Sequence, residues 1–217
     1  MAKHLLSGHA HFRTEYFAGE RAFLRQLAAG VQSPSAMYIG CSDSRVIPEL
    51  LTSSGPGELF VVRNVANLVP PFTHSGVSVG AAVEYALTVL RVPHIIVCGH
   101  DGCGGIRASL DGLDKVAHLP SLHTWLEIAS PAVAHARRTQ LQGAELLRMA
   151  VEENVLYQME HLITYPAVSA ALEANTVQLH GWVFDMAEGT VRVYDVNREE
   201  FLRPDQLNTQ THIAAQP

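Results

Sequence analysis

The sequence predicts an α/β fold in which a mostly parallel central β-sheet is flanked by helices, with an extended N-terminal helix and a C-terminal hairpin. Two observations favour this class. Stretches with strand character alternate with stretches of helical periodicity, which is the pattern that builds parallel sheets. The segment His94–Cys98 is a continuous apolar run, typical of a parallel strand that is buried on both faces. We expect residues 1–217 to form a single domain that ends in a loosely held tail over residues 205–217.

The first part of the chain is predicted to contain two helices and two strands before that apolar run. Aromatic and leucine residues recur at near-helical spacing from His11 to Ala29, and Gly30 ends the pattern. Short apolar segments bounded by turn residues predict the first strand at Ala36–Ile39 and the second at Leu59–Val62. Small and apolar residues over Gly76–Leu90 predict a buried helix.

The second part of the chain is mostly helical in pattern and closes with a hairpin. Helical periodicity occupies much of residues 120–174, and we expect Pro131 and Pro166 to break it. Two apolar segments around a turn then predict the hairpin, with strands and turn at Val177–Asp185, Val191–Val196 and Glu188–Gly189.

The composition indicates a globular protein that acts on a small molecule. Hydrophobic residues make up 47% of the chain and charged residues 17%, which is a globular balance. The formal net charge of -6 argues against a nucleic-acid partner, because nucleic-acid binders usually carry a basic face. No apolar run approaches the roughly 18 residues that a membrane span needs. We therefore expect a cytoplasmic protein with a small-molecule substrate and with neither nucleic-acid nor membrane partners.

Motifs that contain cysteine follow the first and third predicted strands. Cys41 comes directly after the first strand, and His100 and Cys103 follow the third. Because ligands bind at the carboxyl ends of parallel strands, motifs far apart in the sequence can meet there. Zinc takes thiolate and imidazole ligands, and a catalytic zinc keeps one exchangeable position beside three protein ligands. We predict one zinc ion per chain on these three residues, although iron or cobalt could occupy the same set.

Two further residues near these motifs have different predicted roles. Asp43 lies two residues after Cys41 and adds a carboxylate that could be a fourth metal ligand. Cys98 lies inside the apolar run of the third strand, so we predict that it is a core residue.

These segments resemble the beta-class carbonic anhydrases. The resemblance is dense from Gln32 to Gly105 and resumes in the hairpin, through the segments Cys41–Arg45, Gly57–Asn67, Gly99–Gly105 and Gly181–Trp182. It implies the family's mostly parallel sheet flanked by helices, and its obligate homodimers, which often pair into larger oligomers. It also implies reversible hydration of carbon dioxide to bicarbonate and a proton by attack of zinc-bound hydroxide.

The resemblance further implies roles for individual residues. Arg45 would hold the Asp43 carboxylate as an acceptor for the attacking hydroxide. The family also uses an arrangement with this carboxylate on zinc. Our hypothesis is therefore that Asp43 is a switch, paired with Arg45 in the active form and zinc-bound in a resting form that low pH promotes. The implied substrate pocket, partly formed across the dimer interface, is lined by Gln32, Phe60, Val65, Tyr85 and Gly104.

Two of these pocket residues have a second explanation. Phe60 and Val65 could equally be plain core residues, since both are apolar and lie at the second strand. For Gln32 the implied role is specific, because its amide would hydrogen-bond a substrate oxygen.

One departure from the family pattern carries a prediction. A branch of the family binds bicarbonate at a second, inhibitory site through a tryptophan, an arginine and a tyrosine. This chain has Arg63, but Tyr38 replaces the tryptophan and Phe184 replaces the tyrosine. We predict weak or absent bicarbonate inhibition through that site.

Two alternative functions remain open at this point. The first is hydrolysis of carbon disulfide or carbonyl sulfide, which are linear analogues of carbon dioxide, on the same fold. The second is a non-catalytic protein in which Asp43 permanently closes a structural zinc site. Arg45 and Gln32 weigh against the second alternative, because a purely structural site needs neither.

Overall fold

The computed structural model describes residues 2–72 and 77–207. Within these ranges the strands form one sheet and are β1 (Ala36–Cys41), β2 (Leu59–Asn64), β3 (His94–His100), β4 (Gln178–Asp185), β5 (Thr190–Asp195) and β6 (Glu200–Leu202). Their order across the sheet is β2-β1-β3-β4-β5-β6. The first four in this order run parallel, whereas β5 and β6 are antiparallel to their neighbours. The predicted α/β class with a mostly parallel sheet is confirmed.

Helices flank this sheet. The described α-helices are α1 (Lys3–Thr14), α2 (Tyr16–Gly19), α3 (Arg21–Ala29), α4 (Pro48–Leu51), α5 (Val77–Glu84), α6 (Gly104–Asp111), α7 (Pro120–Leu126), α8 (Ser130–Ala136), α9 (Gly143–Ile163) and α10 (Pro166–Glu173). Each of them is too short or too polar to serve as a membrane span.

The N-terminal helix is longer than predicted and is divided into three pieces. It begins at Lys3 rather than near His11, and the pieces meet at Glu15 and Glu20. Polar residues and Gly8 weaken the helical signal of α1, which explains the late predicted start. The predicted end is confirmed, because the N–H of Gly30 donates to the carbonyl of Gln26 at 3.1 Å.

The helices between β2 and β4 have more interruptions than predicted. Helix α5 begins at Val77 and continues as a π-helical turn over Tyr85–Val89, while the predicted start at Gly76 lies outside the described residues. Pro131 and Pro166 lie in the first turns of α8 and α10. A proline is favourable there, because the first N–H of a helix has no intrahelical partner. Helix α9 ends at Ile163 and α10 begins at Pro166, so the predicted break at Pro166 is confirmed, and α7 gives way to a 3-10 turn at Glu127–Ala129 before α8. A further interruption, at residues 137–142, was not predicted.

The predicted C-terminal hairpin is confirmed as β4 and β5. Gly189 adopts a φ of 65° in the turn, and its N–H donates to the Asp185 carbonyl at 2.9 Å. The prediction missed β6, which has only three residues. The predicted tail over residues 205–217 begins inside a 3-10 turn, Pro204–Gln206, and residues 208–217 lie outside the described residues.

The sheet separates two apolar clusters. The larger one packs β1 and β3 against helices that include α9, and it contains Met37, Ile39, Ile95 and Val97. The smaller one lies on the opposite face and contains Ala36, Tyr38, Ile96 and Cys98. Cys98 is 1% exposed, which confirms its prediction as a core residue.

Candidate metal centre

Neighbouring parallel strands bring the two cysteine motifs together. Gly40 of β1 is paired with Cys98 of β3, so that the carboxyl ends of both strands lie side by side. Cys41 is the last residue of β1 and His100 is the last residue of β3. Cys103 follows a turn in which Gly102 has a φ of 72°, and it directly precedes α6. The left-handed conformation at Gly102 explains why a glycine stands between the two motif residues.

Cys41, His100 and Cys103 form a buried group whose possible ligand atoms all lie within 4.8 Å of one another. The two Sγ atoms are 3.9 Å apart. Two zinc–sulfur bonds of about 2.3 Å in tetrahedral geometry would separate the sulfurs by about 3.8 Å. The spacing of the thiols therefore fits a tetrahedral metal site.

The imidazole of His100 is oriented toward this group. Its Nδ1 lies 3.1 Å from the carbonyl oxygen of Asp101, so Nδ1–H donates there and Nε2 carries the lone pair. Nε2 is buried and has no hydrogen-bond partner among the described residues. A buried nitrogen without a partner is costly unless a ligand satisfies it, and a metal ion would do so.

The electrostatics of the two thiols also favour a cation. The hydrogen bond from Cys103 lowers the pKa of Cys41, and the same contact together with burial raises the pKa of Cys103. The contact between the two sulfur atoms and their burial therefore oppose the loss of both thiol protons. A divalent cation offsets the repulsion between two thiolates, because cysteine ligates a metal in its deprotonated form. The donor set fits zinc better than magnesium or calcium, which prefer oxygen ligands.

Asp43 is held beside this group by Arg45. The Asp43 carboxylate accepts hydrogen bonds from the Arg45 backbone N–H at 3.0 Å, from Nε at 2.9 Å and from a terminal guanidinium nitrogen at 2.7 Å. These bonds hold the pKa of Asp43 well below its usual range. Its Oδ2 lies 3.8 Å from the unpartnered Nε2 of His100. The structure thus describes the arrangement in which Asp43 is paired with Arg45.

Arg63, at the carboxyl end of β2, makes contacts that were not predicted from the sequence. Its guanidinium donates to the carbonyl oxygens of Cys41 at 3.1 Å and of Asp43 at 2.6 Å. Arg63 therefore fixes the backbone on both sides of Ser42. Its position after a strand adjacent to β1 was a signal that could have suggested this contact.

The five residues of the predicted pocket are distributed over several elements. Phe60 and Tyr85 lie together, with ring centroids 5.9 Å apart. Val65 lines a groove of about 530 Å³ beside the end of β2. Gln32 is exposed on the segment between α3 and β1, and a Cβ added at Gly104 would have no neighbouring atom within 4 Å. That these residues line one pocket stays a prediction.

The backbone after β2 is strained where it approaches α6. Ala66 and Asn67 adopt φ values of 64° and 48°, which are unusual for residues with side chains. The Val65 carbonyl accepts a hydrogen bond from Trp125 Nε1 at 2.9 Å, and the Ala66 carbonyl accepts one from Asn154 at 3.1 Å. A Cβ at Gly105 would lie 2.9 Å from the Ala66 Cβ, so a glycine is required for this close approach.

Fold and site together define a class: an α/β protein with a Cys–His–Cys group, able to hold a metal, at the carboxyl ends of adjacent parallel strands. A scan of protein families matches residues 36–191 to the family described as carbonic anhydrase. The chain belongs to the beta-carbonic anhydrases, a family of lyases.

Curated relatives support this membership. A carbonic anhydrase of Synechocystis sp. is 40% identical over 202 residues, which cover 92% of this chain and 73% of the relative. A carbonic anhydrase of Pseudomonas aeruginosa is 40% identical over 201 residues, which cover 91% of this chain and 90% of the relative.

Solved structures show the same fold. The beta-carbonic anhydrase CcaA has a sequence 40% identical to this one, and its structure superposes with a TM-score of 0.88. The match covers 93% of this chain and 98% of that chain. A tetrameric beta-carbonic anhydrase of Sordaria macrospora is 28% identical with a TM-score of 0.76, over 88% of this chain and 95% of that chain.

Proposed function

We propose that this protein catalyses the reversible hydration of carbon dioxide to bicarbonate and a proton, with one zinc ion per chain held by Cys41, His100 and Cys103. The observation that carries the proposal is the buried His100 Nε2, which lacks a hydrogen-bond partner among the described residues and belongs to a group with two thiols spaced for a tetrahedral metal. Family membership supports the reaction, since the relatives are named carbonic anhydrases.

Zinc bound at this group would act as a Lewis acid and lower the pKa of a water molecule at its open position toward about 7. Asp43 would orient the attacking oxygen by accepting its hydrogen bond, because a carboxylate held by Arg45 can only accept. Arg45 would keep that carboxylate ionised and aimed at the site. Arg63 would fix the backbone that carries both Cys41 and Asp43.

The pairing of Asp43 also supports an open site over a closed structural one. All three hydrogen bonds to its carboxylate come from Arg45, although the Arg45 side chain is 64% exposed and could turn away into water. A permanently closed site would place Asp43 on the metal and leave Arg45 without this role. We therefore favour an enzyme over a structural zinc protein.

We propose further that the protein works as a homodimer or a dimer-based oligomer. Helices α1, α2 and α3 bury no residue within a single chain. They carry exposed large apolar side chains, namely Leu5, Leu6, Phe12, Tyr16, Phe23 and Leu27. An apolar surface of this kind is typical of an interface.

Light scattering on the purified protein is expected to give a mass of at least twice the 23.6 kDa of one chain. A monomer at micromolar concentration would contradict this.

The direct test of the proposed reaction compares two substrates on the zinc-loaded protein. Carbon dioxide hydration is expected to be fast, and sulfide release from carbonyl sulfide or carbon disulfide is expected to be negligible. Sulfide release with no hydration of carbon dioxide would favour the hydrolase alternative instead. A cytoplasmic location stays a prediction.

Bicarbonate is expected to inhibit the enzyme only weakly and without a sigmoidal dependence. Tyr38 is fully buried in the smaller apolar cluster, and Phe184 packs against that cluster. The Arg63 guanidinium is occupied by backbone carbonyls. Initial rates at rising bicarbonate concentration test this, and a strongly sigmoidal curve for the wild type would contradict it.

The variant used to interpret such a curve needs a control. Arg63 also holds the carbonyls of Cys41 and Asp43, so Arg63→Ala could disturb the metal group itself. Loss of sigmoidal inhibition in this variant would therefore count against the prediction only if its zinc content equals that of the wild type. Phe184→Tyr avoids this complication, since it adds a hydroxyl without removing a contact to the metal group.

A further inference from the structure

A buried cation lies behind the turn that carries two of the three proposed metal ligands. The Arg192 side chain of β5 is 7% exposed. It donates two parallel hydrogen bonds to the Asp101 carboxylate, at 3.1 and 3.0 Å. It also donates to Oε1 of Glu152 at 3.2 and 3.0 Å. Burying a guanidinium is costly unless its partners are well placed, so this cluster fixes the carboxylates that it binds.

Asp101 connects this cluster to the metal group. It stands directly after His100 in the turn that leads to Cys103. Its carbonyl oxygen lies 3.1 Å from His100 Nδ1, and its N–H donates to the Phe184 carbonyl of β4 at 2.9 Å. Side chain, N–H and carbonyl of Asp101 are therefore each engaged, and the carbonyl sets which nitrogen of His100 faces the two thiols.

The strand register explains how a residue of β5 reaches this turn. Arg192 is opposite Val183 of β4, and Val183 is in turn opposite Gly99 of β3. Arg192 thus lies level with the carboxyl end of β3, where the turn begins, with β4 between the two strands. Glu152, on α9, holds the guanidinium from the helical layer. Contacts run continuously from α9 through Arg192 and Asp101 to the His100 ring.

We propose that Arg192 is a positioning residue for the metal site, which holds the Asp101 carboxylate so that His100 Nε2 stays aimed at Cys41 and Cys103. The inference rests on the proposed function, because it requires a metal at that group. Partners that fix a metal-ligating histidine through its other nitrogen typically change metal affinity or activity by about 10- to 100-fold when they are altered. Here the partner of His100 Nδ1 is the Asp101 carbonyl. Arg192 does not contact His100 itself but holds the side chain of Asp101.

The test measures zinc release from the zinc-loaded protein to a chromophoric chelator. Asp101→Asn keeps the shape of the side chain but removes the charge that pairs with both guanidinium nitrogens. We expect this variant to release zinc about 10-fold faster than the wild type. Glu153→Gln is the matched control, because it neutralises a neighbouring carboxylate of α9 that pairs with His135 at 2.9 Å and not with Arg192, and we expect its release rate to stay within about threefold of the wild type.

A second variant and a second readout separate positioning from a general loss of stability. Arg192→Lys keeps the charge but cannot form the parallel pair, and we expect faster zinc release and an altered visible spectrum of the cobalt-substituted protein. If Asp101→Asn does not fold, Arg192→Lys alone still tests the inference. A merely structural ion pair would lower the Tm of the metal-free and zinc-loaded forms equally and leave both the release rate and the spectrum unchanged, which would overturn the inference.

Zinc binding by the wild type and zinc release by the variants distinguish a failure of the proposed function from a failure of the role of Arg192. A wild type that binds no zinc would overturn both. A wild type that binds zinc and hydrates carbon dioxide, with Asp101→Asn and Arg192→Lys releasing zinc at the wild-type rate, would overturn only the role of Arg192.

Discussion

Replacing Cys103 by alanine is expected to abolish both zinc binding and carbon dioxide hydration. The variant keeps one thiol and one imidazole, which is one ligand fewer than a catalytic zinc site uses. Without the metal, water at the site returns to an ordinary pKa, and we expect the rate to fall on the order of 10³-fold or more. Metal analysis of the purified protein and initial hydration rates measure the two effects side by side.

The third cysteine provides the matched control for this experiment. Cys98 is as deeply buried as Cys103, but it belongs to the small cluster on the opposite face of the sheet. Cys98→Ala should therefore cost on the order of 1 kcal/mol of stability through a small cavity while zinc stays near one per chain. A Cys103→Ala protein that keeps full activity without metal would refute the proposed site.

The buried group of proposed ligands was predictable from sequence because each residue is local to a strand end. A short apolar segment followed by cysteine or histidine indicates both the strand and its carboxyl terminus, and parallel pairing brings such ends together. Cys41, His100 and Cys103 needed no further information. The pairing of Asp43 with Arg45 was implied by the family resemblance, and the structure contains it.

The supporting contacts were not predictable, because they join residues that only tertiary packing brings together. Arg192 reaches Asp101 across β4, and Asn154 of α9 reaches the carbonyl of Ala66. Nothing in the local sequence around Arg192 indicates a buried cation. Its position on β5, opposite Val183, has meaning only once the antiparallel register is known.

The requirement for Gly105 was likewise hidden in the sequence. The glycines of the motif suggested freedom of the backbone, and Gly102 does use a positive φ. Gly105 is required for a different reason, since its missing side chain lets α6 approach Ala66. A positive φ and a close approach between two backbones both require glycine. Only the packing of the folded chain distinguishes the two reasons.

Asp43→Asn is expected to leave zinc bound and to slow carbon dioxide hydration on the order of 10²-fold. The amide retains the size of the carboxylate, and the three proposed ligands are untouched, so the metal content should stay near one per chain. The amide nitrogen, however, would present donors where the carboxylate only accepts, and it cannot pair with two nitrogens of Arg45. Hydration rate and metal content, measured on the same preparation, test this.

A matched control for Asp43→Asn exists on the far edge of the sheet. Glu200 of β6 also lies near an arginine, with its Oε1 4.0 Å from Arg198, and both side chains are more than half exposed. Glu200→Gln should leave the hydration rate unchanged, because exposed ion pairs contribute little. An Asp43→Asn enzyme within about threefold of the wild-type rate would remove Asp43 from the mechanism, since general acid–base and orienting roles are worth more than that.

The lowered pKa of Asp43 also limits how acid could act on the proposed switch. Arg45 depresses this pKa, so the carboxylate is ionised at every pH above its ordinary value of about 3.9 and is protonated only as the pH falls through the lower folded value. Between pH 6 and 9 the pair is therefore not broken by protonating Asp43. A resting form favoured at low pH would instead require protonation of the group that competes with Asp43 for a metal held by Cys41, His100 and Cys103. Structures of the zinc-loaded wild type across that range should then show Asp43 on Arg45 at alkaline pH, and Asp43 on the metal at alkaline pH with no water would contradict the switch.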